Sequence, residues 1–477
     1  MESAHEKRQR KQADFCTRPL LKKIILFTIP LILTGLLQLL YNAADIIVVG
    51  QFAGTEAQAA VGSTGALINL IVNLFLGLSV GALSVMSRCI GAKNLEKASR
   101  VEHTAVLISV IGGFVLGVVG FFLSGIFLKL MDTPENVLPL STLYLKIYFV
   151  GMPFNLLYNF GASVMRACGD TKRPLIFLAI AGIANIGLNF MLVIGFNMSV
   201  AGVAIGTVTA QAISAVLVVV WLMRGKGYPK LEIKKLRVHG AELLEMTKIG
   251  LPAGIQGTIF SLSNVMIQSS INGFGDVAMA GNSAASSVEG FVYVSMNAVS
   301  QACLTFTGQN YGADKHENIN IVLLQCFLLV TGVGLVLGGL AYIGGYGLCF
   351  IFNRDPAVIE YGVERLLFTC VPYCLCGIME VLVGSLRGIG HSFVPMLVSI
   401  GGVCGLRIVW IYTLFAWVPE LWMLYLSYPV SWAITALVHF ICYLFVFKKE
   451  KNNMIRRHAE REARQAALSS EQPVEQA

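Results

Sequence analysis

Long apolar stretches alternate with short polar segments along the chain, and this pattern predicts membrane-spanning helices. Residues 24–49 and 101–128 are almost wholly apolar, and each exceeds the roughly 20 residues that cross a bilayer as a helix. The same criterion predicts twelve spans, at 24–49, 59–86, 101–128, 142–165, 174–196, 200–223, 247–271, 278–305, 319–347, 362–385, 394–415 and 421–447.

Composition supports an all-α membrane protein. The 477 residues are 56% hydrophobic and 13% charged, whereas soluble chains carry about 25% charged residues. An open sheet facing lipid would leave backbone groups unsatisfied, and barrel strands would alternate polar and apolar residues over segments of about ten residues. The first apolar stretch is longer than the core of a signal peptide, so we interpret it as a retained helix.

The basic residues predict how the spans are oriented. Of the 35 Lys and Arg residues, 30 fall on one side of the predicted membrane, and the positive-inside rule makes that side cytoplasmic. Both termini fall on this cytoplasmic side of what is expected to be the cell membrane. This topology accounts for the net charge of +8, so a nucleic-acid partner is not needed to explain it. The predicted organisation is a basic tail (1–23), an N-terminal six-helix bundle (24–223), a cytoplasmic linker (224–246), a C-terminal six-helix bundle (247–447) and a charged tail (448–477).

Matched residues at a near-constant offset indicate that the halves are repeats. Pro30 and Pro252 are 222 residues apart, and Arg166 and Arg387 are 221 apart. Six spans per half give both bundles the same orientation, related by an axis along the membrane normal. The predicted fold is therefore twelve transmembrane helices in two six-helix bundles, with a cleft that rocking exposes to each side in turn.

The first span carries the most informative ionisable residue, Asp45. Gln38, Tyr41, Asn42 and Asp45 stand at i, i+3, i+4 and i+7, which places them on one helix face. A charge at bilayer depth is costly, so Asp45 is expected to line a wet cavity, exchanging a proton or holding Na⁺ with nearby amides and hydroxyls. The alternative is an interfacial aspartate hydrated near the headgroups.

Polar residues in the other first-half spans have two interpretations. Asn185 and Asn189 lie four residues apart in the fifth span, and Thr207 lies in the sixth. Such side chains either line a cavity or bond neighbouring helices together. The amide pairs 69/73 and 264/268 are interpreted as packing residues.

The candidate residues for a substrate cleft are Tyr41 and Asn42 of the first span and four residues of the second half. Glu289 shares a face of the eighth span with Tyr293. Glu380 in the tenth span and Arg407 in the eleventh form either a buried ion pair, which would be structural, or two walls of the cleft.

Missing motifs disfavour other chemistries. The eleven cysteines show no zinc-ligand spacing or disulfide framework. No GxxxxGK[ST] loop occurs, which argues against an ATP-driven pump. We therefore expect no enzymatic activity, no cofactor other than a coupling ion, and no metal beyond Na⁺ at Asp45.

Over roughly residues 15–447 the chain resembles the MATE (multidrug and toxic compound extrusion) family. The similarity is carried by the two six-span halves and by the motifs DIIVVG at 45–50, RACGDTKRP at 166–174 and QNYGA at 309–313. The resemblance implies a V-shaped pair of bundles that exports amphipathic, often cationic compounds in exchange for H⁺ or Na⁺.

By motif, the resemblance also implies a cation site in the N-terminal bundle, at Gln38, Asp45, Asn185, Asn189 and Thr207. Asn189 stands where well-studied members have aspartate, so one carboxylate is missing. No acidic residue occurs at 250–271 in the seventh span, where some members carry one. Glu289 resembles an acidic position in the family's eukaryotic branch.

The sequence thus predicts a secondary exporter that works by antiport, as a monomer among membrane lipids. Small amphipathic substrates are expected to contact aromatic and methionine side chains, with Glu289 or Glu380 favouring cations. The first alternative is a lipid-linked oligosaccharide flippase of the same superfamily. It is disfavoured because a pyrophosphate needs a strongly cationic cleft, while only Arg407 is clearly buried.

Two further alternatives rank lower. A major-facilitator transporter also has twelve spans in parallel halves, but the loop after the second span lacks the Asp-Arg signature of that class. An intramembrane enzyme or a receptor ranks last, because no metal motif or Ser/Lys pair sits at helical spacing.

Overall fold

The computed structural model describes residues 15–131, 133–224 and 229–470, and within these ranges the regular structure is helical, without strands. This confirms the all-α class. By length and composition, eight of the described helices can cross a membrane, or ten if each of two bent pairs is one span. Two further helices, Gly240–Asn272 and Asp276–Gly312, are long enough to cross but carry more polar residues. They complete the twelve predicted spans.

The helices of the first half follow the predicted order and extend beyond the predicted apolar cores. They are Leu20–Phe52, Thr55–Gly91, Leu95–Leu130, the pair Leu138–Val150 and Met152–Ala167, Lys172–Asn189 continued by a π-helical segment Phe190–Gly195, and Ser199–Arg224. A short 3-10 helix, Ile233–Lys235, lies in the linker.

The second half repeats this order. Its helices are Gly240–Asn272, Asp276–Gly312, His316–Ile343 followed by the short Gly345–Phe352, the pair Pro356–Thr369 and Tyr373–Ile389, Phe393–Ser399 with the π-helical Ile400–Gly405, Leu406–Tyr412 and Leu414–Trp417, and Leu421–Ser470. The last helix continues well beyond its predicted span into the charged tail.

The fourth and tenth spans, each predicted as one span, are bent at matching places. The fourth span bends by 49° and the tenth by 46°. Pro153 and Pro372 lie at these bends. A proline in a helix interior removes a backbone hydrogen bond and clashes with the preceding turn, which bends the helix. The same bend in both halves supports the repeat inferred from the residue offsets. Pro30 and Pro252, by contrast, lie inside continuous helices.

Glycines let the halves touch backbone to backbone. Gly77 and Gly81 of span two face Gly250 and Gly254 of span seven, and a methyl group built at Gly81 would lie 2.1 Å from the carbonyl oxygen of Met246. Small residues allow this approach of transmembrane helices. The contact joins the two halves along the centre of the molecule.

A second contact between the halves involves the matched loops after spans two and eight. A methyl group at Gly91 would lie 1.9 Å from the carbonyl oxygen of Gln309, and one at Gly312 would lie 2.1 Å from that of Arg88. Ser84 Oγ also donates a 2.6 Å hydrogen bond to the carbonyl of Arg387. The molecule is therefore closed at the ends of the spans that carry the basic residues.

The first span contacts both halves. Near its start, the ring of Phe15 stacks on that of Phe306 in span eight, 4.1 Å between centroids, and Asn310 Nδ2 donates to the Phe15 carbonyl at 3.1 Å. Further along, the Tyr41 hydroxyl donates to the carbonyl of Leu178 in span five at 3.1 Å. The same helix is thus attached to the second half at one end and to the first half at the other.

Candidate functional site

The Asp45 carboxylate is buried between spans one, five and six. Asp45 is only 6% exposed. Asn189 Nδ2 donates to Oδ1 at 2.6 Å, and Thr207 Oγ1 donates to Oδ2 at 2.9 Å. Asn185 completes the group, since its Oδ1 accepts from Asn189 at 3.4 Å and its Nδ2 donates to Thr207 at 3.5 Å. The structure thus brings together four of the five residues predicted for a cation site, which we call the Asp45 cluster (Asp45, Asn185, Asn189 and Thr207).

Glycines in spans five and six make room for this cluster. A methyl group at Gly206 would lie 2.4 Å from Asn189 Oδ1, and one at Gly182 would lie 1.8 Å from the Tyr41 ring. Span one can therefore lie close to spans five and six, so that a carboxylate on one helix reaches donors on the other two.

Gln38 and Asn42 do not join the cluster. Both are exposed, and among the described residues neither is within hydrogen-bonding distance of Asp45. The lipid-facing side of span one carries exposed leucines such as Leu40, and Leu39 contacts span eight at Gly290. At 100° per residue, Gln38 and Asn42 lie between the face toward span eight and the face toward span five. The predicted polar stripe is therefore divided between the cluster and the gap between the halves.

The surroundings of Asp45 suit exchange of an ion. Within the part of the chain that the structure describes, no Lys, Arg or His lies within 4 Å of the carboxylate. Its partners are neutral, and Asn189 Oδ1 is buried without a hydrogen-bond partner in the described residues. A carboxylate, a hydroxyl and amide oxygens are ligands that suit a hard cation, and the carboxylate can equally take a proton.

A polar cavity of about 510 Å³ lies mainly in the second half, within the usual size range of small-molecule sites. Four of the six predicted cleft residues line it: Glu289, Tyr293, Glu380 and Arg407. Tyr41 and Asn42 are not among its lining residues. The residues Asn69, Asn73, Asn264 and Gln268 also line it. Two of them bond neighbouring helices as predicted, since Asn73 Nδ2 donates to Ser261 Oγ of span seven at 3.3 Å and Gln268 Oε1 accepts from Asn282 of span eight at 2.7 Å.

The cavity lies beyond the glycine contact, away from the basic ends of the spans. Span two runs from Thr55 to Gly91 and contributes Asn69 and Asn73, which precede Gly77. Span seven runs in the opposite direction and contributes residues 257–271, which follow Gly254. The backbone contact therefore separates the cavity from the side with the basic residues.

Glu289 is paired with Arg365, a residue that the sequence interpretation missed. Arg365 Nη2 lies 2.7 Å from Glu289 Oε2, and the Tyr373 hydroxyl donates to Oε1 at 3.3 Å. Arg365 also donates to Asn282, which in turn donates to Gln268 Oε1 at 2.7 Å. Glu289 is thus neutralised within the protein, which contradicts its expected role in favouring cations. Arg365 is buried, so the statement that only Arg407 is clearly buried was also wrong.

Glu380 and Arg407 do not form the ion pair that was one of the two predictions. Arg407 Nε donates to Ser431 Oγ at 3.0 Å, and among the described residues no basic side chain lies within 4 Å of the Glu380 carboxylate. Both residues line the cavity, so the structure supports the other prediction, that they form walls of a cleft.

The two six-helix repeats and the polar cavity at their junction define a two-repeat, polytopic membrane protein. The MatE family model matches residues 30–191 and again residues 252–413, with the second match beginning 222 residues after the first. The chain therefore belongs to the MatE family, which confirms the resemblance and its repeat offset.

Known relatives match along most of their length. The probable multidrug resistance protein YoeA of Bacillus subtilis is 27% identical over 438 residues, covering 90% of this chain and 95% of the relative. The multidrug export protein MepA of Staphylococcus saprophyticus is 22% identical over 409 residues, covering 82% and 89%.

Solved structures share the fold. The outward-facing conformation of a multidrug resistance MATE family transporter of the MOP superfamily has a TM-score of 0.86 at 20% identity, covering 93% of this chain and 99% of that one. A MATE structure in the bent conformation has a TM-score of 0.84, also at 20% identity. These similarities confirm the predicted architecture.

Proposed function

We propose that this protein exports small organic molecules across the cell membrane in exchange for protons or Na⁺, by alternating access. Family membership and the names of relatives such as YoeA and MepA support export. The observation that carries the proposal is the buried Asp45 carboxylate, which has neutral donors on two other spans and no basic partner among the described residues.

The Asp45 cluster offers a physical route from ion binding to helix movement. In this structure Asp45 accepts two hydrogen bonds that link span one to spans five and six. A proton or Na⁺ on the carboxylate competes with those donors, so the three helices must repack when the ion arrives or leaves. Because Phe27 of span one packs edge-on against Phe306 of span eight, that repacking reaches the second half.

The cavity provides the substrate-binding part of the proposal. Its walls combine aromatic rings, methionine and charged groups, which suit amphipathic molecules. Because the glycine contact closes the basic side, we assign this conformation to the outward-facing state, with both termini in the cytoplasm. Each charge that moves through the field is worth about 2.3 kcal/mol per 100 mV, so one ion per cycle can drive accumulation.

The decisive experiment is export of a fluorescent cationic dye from proteoliposomes containing the purified full-length chain. We expect export to require a proton or Na⁺ gradient, and collapsing the two gradients separately identifies the coupling ion. Export that continues without either gradient would contradict antiport. Transfer of a lipid-linked oligosaccharide without dye export would favour the flippase alternative.

A matched pair of variants tests the role of Asp45. We expect Asp45→Asn to reduce export to background while the protein still inserts and purifies normally. The control is Asp276→Asn, which removes an exposed carboxylate at the start of span eight and should leave export unchanged. Full export by Asp45→Asn would refute the coupling scheme.

A further inference from the structure

Arg407 is a buried cation without an acidic partner on the wall of the cavity. It is only 4% exposed, and its Nε donates to Ser431. Within the described part of the chain, no carboxylate lies within 4 Å of its guanidinium, and its two terminal nitrogens make no hydrogen bond to protein. Because an uncompensated buried charge costs several kcal/mol, this arrangement favours binding of an anion from outside the protein.

The other cation in the cavity already has an acidic partner. Arg365 is held by Glu289 and Asn282. Arg407 is thus the cation in this cavity that a ligand is left to neutralise.

Aromatic rings fix the guanidinium and extend the site. Arg407 lies over the ring of Tyr428, 4.2 Å from its centroid, and 5.8 Å from that of Trp432. The ring of Tyr373 lies 5.1 Å from that of Trp432. A guanidinium can stack on an aromatic face while its edge binds the two oxygens of a carboxylate. The neighbouring rings offer a surface for an aromatic ligand body.

Glu380 limits the charge of the ligand. It lines the same cavity and adds a negative group to the site, which disfavours a second anionic charge on the ligand. A single negative charge suits the cavity better than a pyrophosphate does.

We propose that Arg407 is the anion subsite of this cavity and that the exported molecules include aromatic monocarboxylates. This deepens the proposed function and rests on it for the step of export. The same monoanion chemistry is found in a phospholipid headgroup, and we assign the subsite to a soluble carboxylate.

The test compares 2-naphthoate with 2-naphthamide, which share an aromatic body and differ in charge. Calorimetric binding to the purified protein should be at least tenfold tighter for naphthoate, because hydrogen bonds to charged groups are worth roughly 10- to 100-fold in affinity. Arg407→Gln should abolish the difference, and Arg407→Lys should retain part of it. Equal affinities in the unsubstituted protein, or equal weakening of both ligands by Arg407→Gln, would overturn the proposal.

Two further arms separate the alternatives. Binding of short-chain phosphatidylglycerol that depends on Arg407, in place of naphthoate, would assign the subsite to lipid and overturn the proposal. Naphthoate should also inhibit export of the cationic dye, and Arg407→Gln should relieve this inhibition at least tenfold. Absence of dye export in the unsubstituted protein would refute the proposed function, while the calorimetric comparison still decides the carboxylate preference.

Discussion

Asn189 Nδ2 donates a 2.6 Å hydrogen bond to Asp45 Oδ1 across 144 residues of chain. An amide in span five thus neighbours the acid of span one, at a position where the family resemblance implies a second acid. The Asp45 cluster therefore contains one ionisable group, and under the proposed antiport the charge at position 189 would help to set the number of ions exchanged.

Asn189→Asp is therefore predicted to increase the number of ions exchanged per substrate by about one. The new carboxylate lies within reach of Asp45, and two such groups can bind an additional cation between them. The measurement is the substrate gradient at which export stops under a fixed ion gradient. The control is Asn42→Asp, which makes the same substitution at an exposed position of span one and should leave the number of ions per substrate unchanged. An unchanged number in Asn189→Asp would contradict the prediction.

Arg365→Met is predicted to destabilise the protein strongly, because it leaves the half-buried Glu289 without its cation. Breaking a buried ion pair costs roughly 3–5 kcal/mol. Thermal unfolding in detergent should show a large drop in Tm for this variant. The double variant Arg365→Met/Glu289→Gln, which removes both charges, should recover most of the loss; a double variant as unstable as Arg365→Met would show that packing, not charge, is responsible.

Gly81→Ala is predicted to disrupt the contact between the halves. The added methyl group meets the carbonyl oxygen of Met246 at 2.1 Å, and backbone on both sides cannot relax as a side chain can. Overpacking of this kind costs about 1–3 kcal/mol, and export should fall because the basic side no longer closes. The control is Gly62→Ala on the same helix, since a methyl group built at Gly62 has no neighbouring atom of the described residues within 4 Å. Equal effects at both positions would refute the prediction.

The C-terminal helix Leu421–Ser470 is predicted to detach, at acid pH, from the segments that carry Tyr311 and His391. Glu450, beyond the predicted span 421–447, accepts from the Tyr311 hydroxyl at 2.7 Å and lies 3.3 Å from His391 Nε2. Burial raises the pKa of Glu450, but hydrogen bonds from Tyr311, Asn453 and His391 outweigh it, so the pKa is lowered from 4.5. This stabilisation is present above the ordinary pKa and is lost as the pH falls through the lowered value.

Limited proteolysis of the C-terminal helix as a function of pH checks this. Cleavage should rise as the pH falls below about 4.5, and Glu450→Gln should cleave readily even at neutral pH. Glu460→Gln alters an exposed pair with Arg456 and should behave like the unsubstituted protein. Cleavage of Glu450→Gln that matches the unsubstituted protein at every pH would contradict the role of Glu450.

Sequence patterns predicted the fold and singled out Asp45 because both depend on rules that act along a single helix. The grouping of Asp45 with Asn185, Asn189 and Thr207 across three helices was implied by the family resemblance. Apolar length set the spans, and a lone acid in an apolar helix marked Asp45. The partners of Glu289 and Arg407 depend on how separate helices are rotated against each other, which periodicity within one helix does not determine. Arg365 was missed because it lies near the predicted start of span ten at 362, where a basic residue is ordinarily taken as flanking the membrane.

Span one is anchored at one end by Phe15 on Phe306 and toward its other end by Asp45 on Asn189. Any change in the distance between the two halves must therefore bend span one, shift it along its axis or break one of these two contacts. Under the proposed exchange, ion binding at Asp45 would act on the second half through this helix of 33 residues. One helix would then carry both the ion site and the connection between the halves.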